Sequence, residues 1–279
     1  MGLQNRWLGK NRRSGDDRRK SNDPDYTGPE RRNEQDRRFR IQRSLLIVDS
    51  SATSLFYIGM LLKKLEYAVH TAMTAEDALK TLADTPLDLV IMESSLPRMS
   101  GINMLRQMKQ DPRLKTIPVI FYTSDSDPAL KTACKVAGCA DFLKKPVEPD
   151  ALYRSIQAAT ETAPRQTIRI DTSLKVEIGA ALPGGAMRSE TVTTISGGGV
   201  YIKTRTPEPV DTVMPLKLYI RNREVKVQAV VLTSSSIIEG EHKEPGMAMK
   251  FTRISPEDKT FVQDFIKEQI TRDISIPKR

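Results

Sequence analysis

Two short segments in the second half of the chain carry groups suited to binding an anion. Arg165 and Arg169 lie four residues apart. Paired guanidinium groups can bind phosphates bidentately and stack on purine faces. The segment Thr194-Ile195-Ser196-Gly197-Gly198-Gly199 predicts a turn whose glycines let backbone N–H groups approach a ligand closely. Each segment also has an ordinary explanation, because arginines at this spacing are common and a triple glycine also serves as a plain hairpin.

A second set of polar residues stands at the ends of apolar runs in the first half of the chain. Its members are Asp49, Glu93, Thr123 and Lys145. The apolar runs are typical of buried parallel strands, and open parallel sheets place their chemistry at the carboxyl ends of their strands. We therefore expect these four side chains to share one edge of a sheet.

The pattern between these residues predicts a doubly wound α/β fold over residues 44–160. Strands are expected at 45–48, 68–72, 89–92, 119–122 and 140–143, with helices at 52–65, 75–83, 101–109, 129–137 and 149–160. Five strand–helix units of this kind favour an open five-stranded parallel sheet with helices on both faces.

Four motifs in this segment carry a resemblance to a known family. They are Leu46-Ile47-Val48-Asp49, Leu96-Pro97-Arg98-Met99-Ser100-Gly101, Tyr122-Thr123-Ser124 and Lys145-Pro146. In this order they resemble the receiver domain of response regulators, over the whole of 44–160. The resemblance implies a flavodoxin-like fold, a role in two-component phosphorelay signalling, and a phosphoacceptor pocket formed by Asp49, Ser50, Glu93, Thr123 and Lys145.

Two positions of this pocket depart from the family pattern. The family has two adjacent acidic residues after the first strand, where this chain has Asp49-Ser50, and an aspartate as phosphoryl acceptor, where this chain has Glu93. The neutral hydroxyl of Ser50 weakens a Mg²⁺ site, because Mg²⁺ depends on fixed carboxylates. Glu93 is longer by one methylene, about 1.5 Å, and phosphoryl transfer depends on positioning. We predict a degenerate pocket that holds no metal, performs no phosphotransfer and has no catalytic residue.

Several roles remain open for Glu93 in such a pocket. In one, its carboxylate bonds Thr123 and Lys145 and holds a conformation like the activated one. In another, the pocket is inert and the domain is a docking surface. In both, the receiver-like domain contacts a protein partner or a second copy of the chain. Residual phosphorylation of Glu93, as in a phosphorylatable two-component response regulator, is the third alternative.

Residues 161–279 predict a small antiparallel β-barrel followed by a helix. Apolar residues alternate with polar ones, and Gly and Pro turns such as Pro183-Gly184-Gly185 separate the short runs. Strands are expected at 168–178, 190–194, 200–203, 213–220, 225–233 and 247–251. Ser255-Pro256-Glu257 predicts the start of a helix that runs to about Ile270 and packs an apolar stripe on the barrel.

The order of motifs in this second half carries another resemblance. It begins with Arg165-x-x-x-Arg169 and continues with Ser196 and Gly199, Gly246 to Phe251, and Ser255-Pro256-Glu257-Asp258. This order resembles a PilZ domain, the family that binds cyclic di-GMP, over about 165–272. The resemblance implies that cyclic di-GMP binds across Arg165, Arg169, Thr194, Ser196 and Gly199.

Thr194 stands where the PilZ family has Asp or Asn. A neutral hydrogen bond is worth about 1 kcal/mol against roughly 1.5–3 for a charge-assisted one, so affinity should fall about tenfold or more. The arginines supply the larger electrostatic share, and we predict that cyclic di-GMP still binds. The alternative is a ligand-independent adaptor in which both domains act only through protein contacts.

Residues 1–43 predict a disordered basic tail. They contain 13 Lys and Arg against 7 Asp and Glu, which is +6 of the formal net charge of +9. The pattern Arg-Arg-x-x-x-Asp-Arg-Arg occurs twice, beginning at Arg12 and Arg31. Such a tail is either a solubilising leader or a contact for an anionic partner. No specific DNA recognition is expected, since no helix-turn-helix or zinc-finger pattern is visible.

Length and composition limit the class of protein. A chain of 279 residues fits two domains, at roughly 100–200 residues each. No run approaches the ~18 apolar residues of a membrane span, and Cys134 and Cys139 lack zinc-ligand spacing, which suits a reducing cytoplasm. We therefore predict a non-enzymatic cytoplasmic signalling protein with a basic tail (1–43), a receiver-like domain (44–160) and a PilZ-like barrel (161–279).

Overall fold

In a computed structural model of the protein, the described residues are 42–179, 187–236, 245–272 and 274. The predicted tail lies outside this part of the chain except for its last two residues, and the predicted turn at 183–185 lies outside it altogether. Within these ranges, no helix combines the length and the apolar character that crossing a bilayer requires.

The first half of the described chain alternates strands and helices. The elements are β1 (Ser44–Val48), α1 (Ala52–Lys64), β2 (Ala68–Ala72), α2 (Ala75–Asp84), β3 (Leu89–Met92), α3 (Gly101–Gln110), β4 (Val119–Thr123), α4 (Pro128–Val136), β5 (Asp141–Lys144) and α5 (Pro149–Thr160). The strands pair in parallel in the order β2-β1-β3-β4-β5. The predicted doubly wound sheet is confirmed.

Burial on both faces explains why the central strands are continuous apolar runs. Every residue of β3 and β4 is buried, because helices cover the sheet on both sides. The strand order reverses between β1 and β3, so the carboxyl ends of these two central strands flank the crevice where sheets of this kind bind ligands.

The second half of the chain forms the predicted closed antiparallel barrel. Its elements are β6 (Arg169–Ile178), β7 (Arg188–Ser196), β8 (Gly199–Lys203), β9 (Val213–Ile220), β10 (Arg223–Ser235), β11 (Gly246–Ile254) and α6 (Pro256–Thr271). The order around the barrel is β10-β11-β8-β7-β6-β9, and β9 pairs with β10 to close it. Inward-pointing side chains such as Val176, Val192 and Ile202 are fully buried.

The hairpin between β7 and β8 is tighter than the sequence predicts. The turn was expected to begin at Thr194, but β7 continues to Ser196 and only Gly197 and Gly198 separate it from β8. Gly199 is already a strand residue, where a Cβ would lie 2.2 Å from the carbonyl oxygen of Met249 on the neighbouring strand. Thr194 and Ser196 therefore point in directions that the sheet fixes.

One hydrophobic cluster joins the α/β half to the barrel. It includes Ile58 of α1, Ile156 of α5, Ile168 before β6, and Ile266 of α6. An ion pair adds to this junction, with Lys267 Nζ 2.5 Å from Glu148 Oε2. The barrel is thus attached to the first half through packed helices as well as through the connecting chain.

Candidate functional site

Four of the predicted pocket residues meet at the carboxyl edge of the parallel sheet. Asp49 follows β1, Glu93 follows β3, Thr123 ends β4 and Lys145 follows β5. Lys145 Nζ lies 2.5 Å from Asp49 Oδ2 and 2.7 Å from Glu93 Oε2. One ammonium group thus bridges the two carboxylates.

This bridge is largely shielded from water. The side chains of Asp49, Glu93 and Lys145 are 5%, 12% and 16% exposed. The ring of Tyr122 lies 4.9 Å from the ammonium group, close enough for a cation–π interaction. Ser50, the fifth residue of the predicted pocket, is exposed.

Every carboxylate oxygen of the pocket accepts a hydrogen bond from the protein. Asp49 Oδ1 accepts from the backbone N–H of Ser51 at 2.8 Å, and Asp49 Oδ2 accepts from the Ser54 hydroxyl at 2.5 Å as well as from Lys145. Glu93 Oε1 accepts from the backbone N–H of Ser94 at 2.8 Å, and Glu93 Oε2 accepts from Lys145. These contacts satisfy the hydrogen-bonding capacity of both carboxylates from within the protein.

The electrostatics of Glu93 agree with this arrangement. Burial raises the pKa of Glu93, but the hydrogen bond from Lys145 opposes that effect, and the pKa ends below its usual range. The Thr123 hydroxyl lies 2.8 Å from the Ser94 hydroxyl, which itself lies 3.1 Å from Glu93 Oε1. Thr123 therefore connects to Glu93 through Ser94.

Ser54 and Ser94 were not among the residues that the sequence predicted. Both are hydroxyl residues within five positions of a carboxylate at a strand end, and that proximity was the available signal. Within the part of the chain that the structure describes, no three His, Cys, Asp or Glu side chains are grouped so as to hold a metal ion.

The barrel brings most of the predicted anion-binding residues to one corner. The register of β6 against β7 pairs Arg169 with Ser196 and Asp171 with Thr194. The register of β7 against β8 pairs Ser196 with Gly199. Residues two apart on a strand share a face, so Arg169, Asp171, Thr194 and Ser196 lie on one face of the sheet beside the β7–β8 turn.

Ser196 and Thr194 have different local roles at this corner. The Ser196 hydroxyl is buried, donates to the Gly199 carbonyl at 3.2 Å and accepts from the Gly198 N–H at 3.4 Å, which closes the turn. The Thr194 hydroxyl donates to Asp171 Oδ1 at 3.3 Å. Asp171 is exposed and was not among the residues that the sequence predicted.

Arg165 lies at the entrance to the barrel, four residues before β6. It is half-buried, whereas Arg169 is exposed. Its backbone N–H donates to Gln157 Oε1 of α5 at 3.2 Å, so the entrance is tied to the last helix of the α/β half.

Comparison with known proteins identifies the α/β half. Residues 45–157 match the family model described as the response regulator receiver domain. Two-component response regulator ORR3 of Oryza sativa is 33% identical over 111 residues, which is 39% of this chain and 85% of that protein. Protein PilH of Pseudomonas aeruginosa is 31% identical over 114 residues, 41% of this chain and 94% of that protein. The chain belongs to the response regulator receiver family of two-component signalling proteins.

One further curated protein and one solved structure are also similar to this chain. A Vibrio cholerae protein named "Probable cyclic di-GMP phosphodiesterase" is 26% identical over 180 residues, which is 64% of this chain and 41% of that protein. A solved signal receiver domain of an HD domain-containing protein from Pseudomonas fluorescens is 31% identical and covers 42% of this chain and 94% of that chain, with a TM-score of 0.40.

Proposed function

We propose that the protein is a non-enzymatic effector of cyclic di-GMP, in which the barrel binds the dinucleotide and the receiver domain contacts a protein partner or a second copy. The observation that carries this proposal is the β6–β7 register, which sets Arg169 opposite Ser196. A cationic side chain thereby stands beside a glycine turn on one face of the barrel.

The chemistry of the ligand fits this corner. Cyclic di-GMP carries two phosphodiester charges and two guanine bases, and guanidinium groups bind phosphates bidentately and stack on purines. Arg165 and Arg169 supply those groups, and Thr194, Ser196 and Gly199 supply the neighbouring strand surface. The PilZ-like order of these residues supports the same ligand, as does the similarity to a Vibrio cholerae protein whose name refers to cyclic di-GMP.

Isothermal titration of the full chain with cyclic di-GMP tests this proposal. We expect saturable heat, and a much smaller heat with 5′-GMP at the same concentration, because the monomer has one base and no second phosphate for the second arginine. Absence of saturable heat with cyclic di-GMP would favour the ligand-independent adaptor instead.

We further propose that the receiver pocket neither holds Mg²⁺ nor accepts a phosphoryl group. Lys145 occupies the space between Asp49 and Glu93, and Ser50 adds a neutral hydroxyl where Mg²⁺ favours a carboxylate. A metal ion or phosphoryl donor would have to displace the ammonium group before it reached either carboxylate. In this arrangement the domain acts through contact with its partner.

A phosphorylatable receiver is the second candidate function, and the position of Glu93 at the end of β3 in a receiver-family chain favours it. Incubation with acetyl phosphate and Mg²⁺, followed by intact-protein mass spectrometry, separates the two. We expect no gain of a phosphoryl group, because the Lys145 bridge holds Glu93. A gain in the parent protein that Glu93→Gln abolishes would establish phosphorylation at Glu93.

The remaining assignments are proposals of the same kind. The basic tail would contact an anionic partner, since its repeated arginines favour electrostatic attraction. A reducing, cytoplasmic location is supported by Cys134 and Cys139, both of which are free thiols.

A further inference from the structure

We propose that Asp171 determines the base specificity of the barrel by accepting hydrogen bonds from the edge of a guanine. This inference rests on the proposed function, because it assigns a residue to the same binding corner. Asp171 supplies an acidic group at a corner where Thr194 offers only a neutral hydroxyl.

The placement of Asp171 follows from strand register. Asp171 is the cross-strand partner of Thr194, and Arg169 is the partner of Ser196. Arg169 and Asp171 are two residues apart on β6, so both point to the outer face, and both are exposed. The phosphate-binding cation and the carboxylate therefore stand next to each other on one surface.

Two local features orient the Asp171 carboxylate. The Thr194 hydroxyl donates to Asp171 Oδ1 at 3.3 Å, which links the carboxylate to the neighbouring strand. The ladder between β6 and β7 shifts register directly after Asp171, before Leu174. Such bulges bend a strand and re-aim side chains, and they are frequent beside binding sites.

The chemistry of the bases gives this carboxylate its selectivity. Guanine presents two adjacent donors, N1–H and the 2-amino group, and an ionised carboxylate offers two acceptor oxygens and no donor. Adenine presents an acceptor nitrogen at N1 beside its 6-amino group, so a carboxylate meets a lone pair there. Asp171 should therefore favour a guanine dinucleotide over an adenine dinucleotide.

Titration of three forms of the full chain with cyclic di-GMP and with cyclic di-AMP tests the inference. Asp171→Asn replaces the two-acceptor group by an amide with one acceptor and one donor, which matches adenine better than guanine. We expect cyclic di-GMP affinity to fall about tenfold to a hundredfold, the range for losing a hydrogen bond to a charged group. The preference for cyclic di-GMP over cyclic di-AMP should fall by at least as much, and Asp171→Glu should retain more of it than Asp171→Asn.

Glu224→Gln is the matched control. Glu224 is also an exposed barrel carboxylate, but it lies on β10, which is two strands from β6 and three strands from β7 around the closed barrel. This variant should bind both dinucleotides as the parent does, because it removes the same charge from a strand that pairs with neither β6 nor β7.

The outcomes separate this inference from the proposed function. A parent protein that binds cyclic di-GMP, together with an Asp171→Asn variant of unchanged affinity and preference, would overturn the role of Asp171 alone. A parent protein that does not bind cyclic di-GMP would overturn both. Equal losses in Asp171→Asn and Glu224→Gln would also overturn the inference, since net charge would then explain the effect.

Discussion

Replacing Arg169 with alanine is expected to lower the affinity for cyclic di-GMP by about a hundredfold or more. A guanidinium forms two charge-assisted hydrogen bonds to a phosphate, each worth about 1.5–3 kcal/mol, and each 1.4 kcal/mol is about tenfold in affinity. Arg165→Ala should have an effect of similar size. Isothermal titration of each variant measures the loss, and the remaining binding should depend less steeply on salt, because fewer cations face the ligand.

The control for this prediction is another arginine of the barrel. Arg205 is exposed and lies two residues after the end of β8, whereas the β7–β8 turn is at the start of that strand. Arg205→Ala should therefore bind as the parent does. The urea midpoints of Arg169→Ala and of the control variant should match the parent, since both side chains are exposed and surface substitutions of this kind change stability little. Parent-like affinity in Arg169→Ala would contradict the proposed site.

The α/β half could be predicted well from its sequence because local chemistry specifies its elements. Helix α5 was predicted at 149–160 and is found there, with Pro149 at its first turn and Thr160 at its last residue. The central strands were predicted within one residue, because burial on both faces requires continuous apolar runs. The proximity of Glu93 and Lys145 was also expected, because the carboxyl ends of parallel strands share one edge of the sheet.

The remaining contacts of the pocket depend on distances that a sequence does not contain. Lys145 was expected beside Glu93. Its second contact, with Asp49, requires β1 and β3 to be neighbouring strands whose carboxyl ends are level with each other. Ser94 was not foreseen because a serine beside a glutamate is unremarkable until the Thr123 hydroxyl is seen 2.8 Å away.

The barrel also contains a turn and a cross-strand contact that its sequence did not predict. The segment from Thr194 to Gly199 was predicted as a turn, yet β7 continues to Ser196, Gly199 pairs as a strand residue and the turn contains two residues. Asp171 was not foreseen because its partner across the sheet depends on a register shift before Leu174. Alternation of apolar residues predicts which face a residue takes, but it does not predict the partner across the strand.

Replacing Lys145 with methionine is expected to lower the free energy of unfolding at pH 7 by about 3 kcal/mol. The change removes the ammonium group and leaves two mostly buried carboxylates facing each other, and breaking such a pair typically costs 3–5 kcal/mol. Urea unfolding of the full chain measures the loss. Lys144→Met is the matched control, because Lys144 is exposed and its loss should change stability by no more than about 0.5 kcal/mol.

The pH dependence of this difference separates charge from packing. The pKa of Glu93 is lower in the folded parent than in the unfolded chain, where it is about 4.3. The contribution of Glu93 to the free energy of unfolding is therefore fully present above the unfolded pKa and is lost as pH falls through the folded pKa.

In Lys145→Met the carboxylates repel each other and should take up a proton more readily in the folded state. The stability gap between parent and variant should thus be largest near pH 7 and narrow below about pH 4. A gap of equal size at pH 7 and pH 4 would mean that Lys145 contributes through the packing of its aliphatic chain and not through its charge.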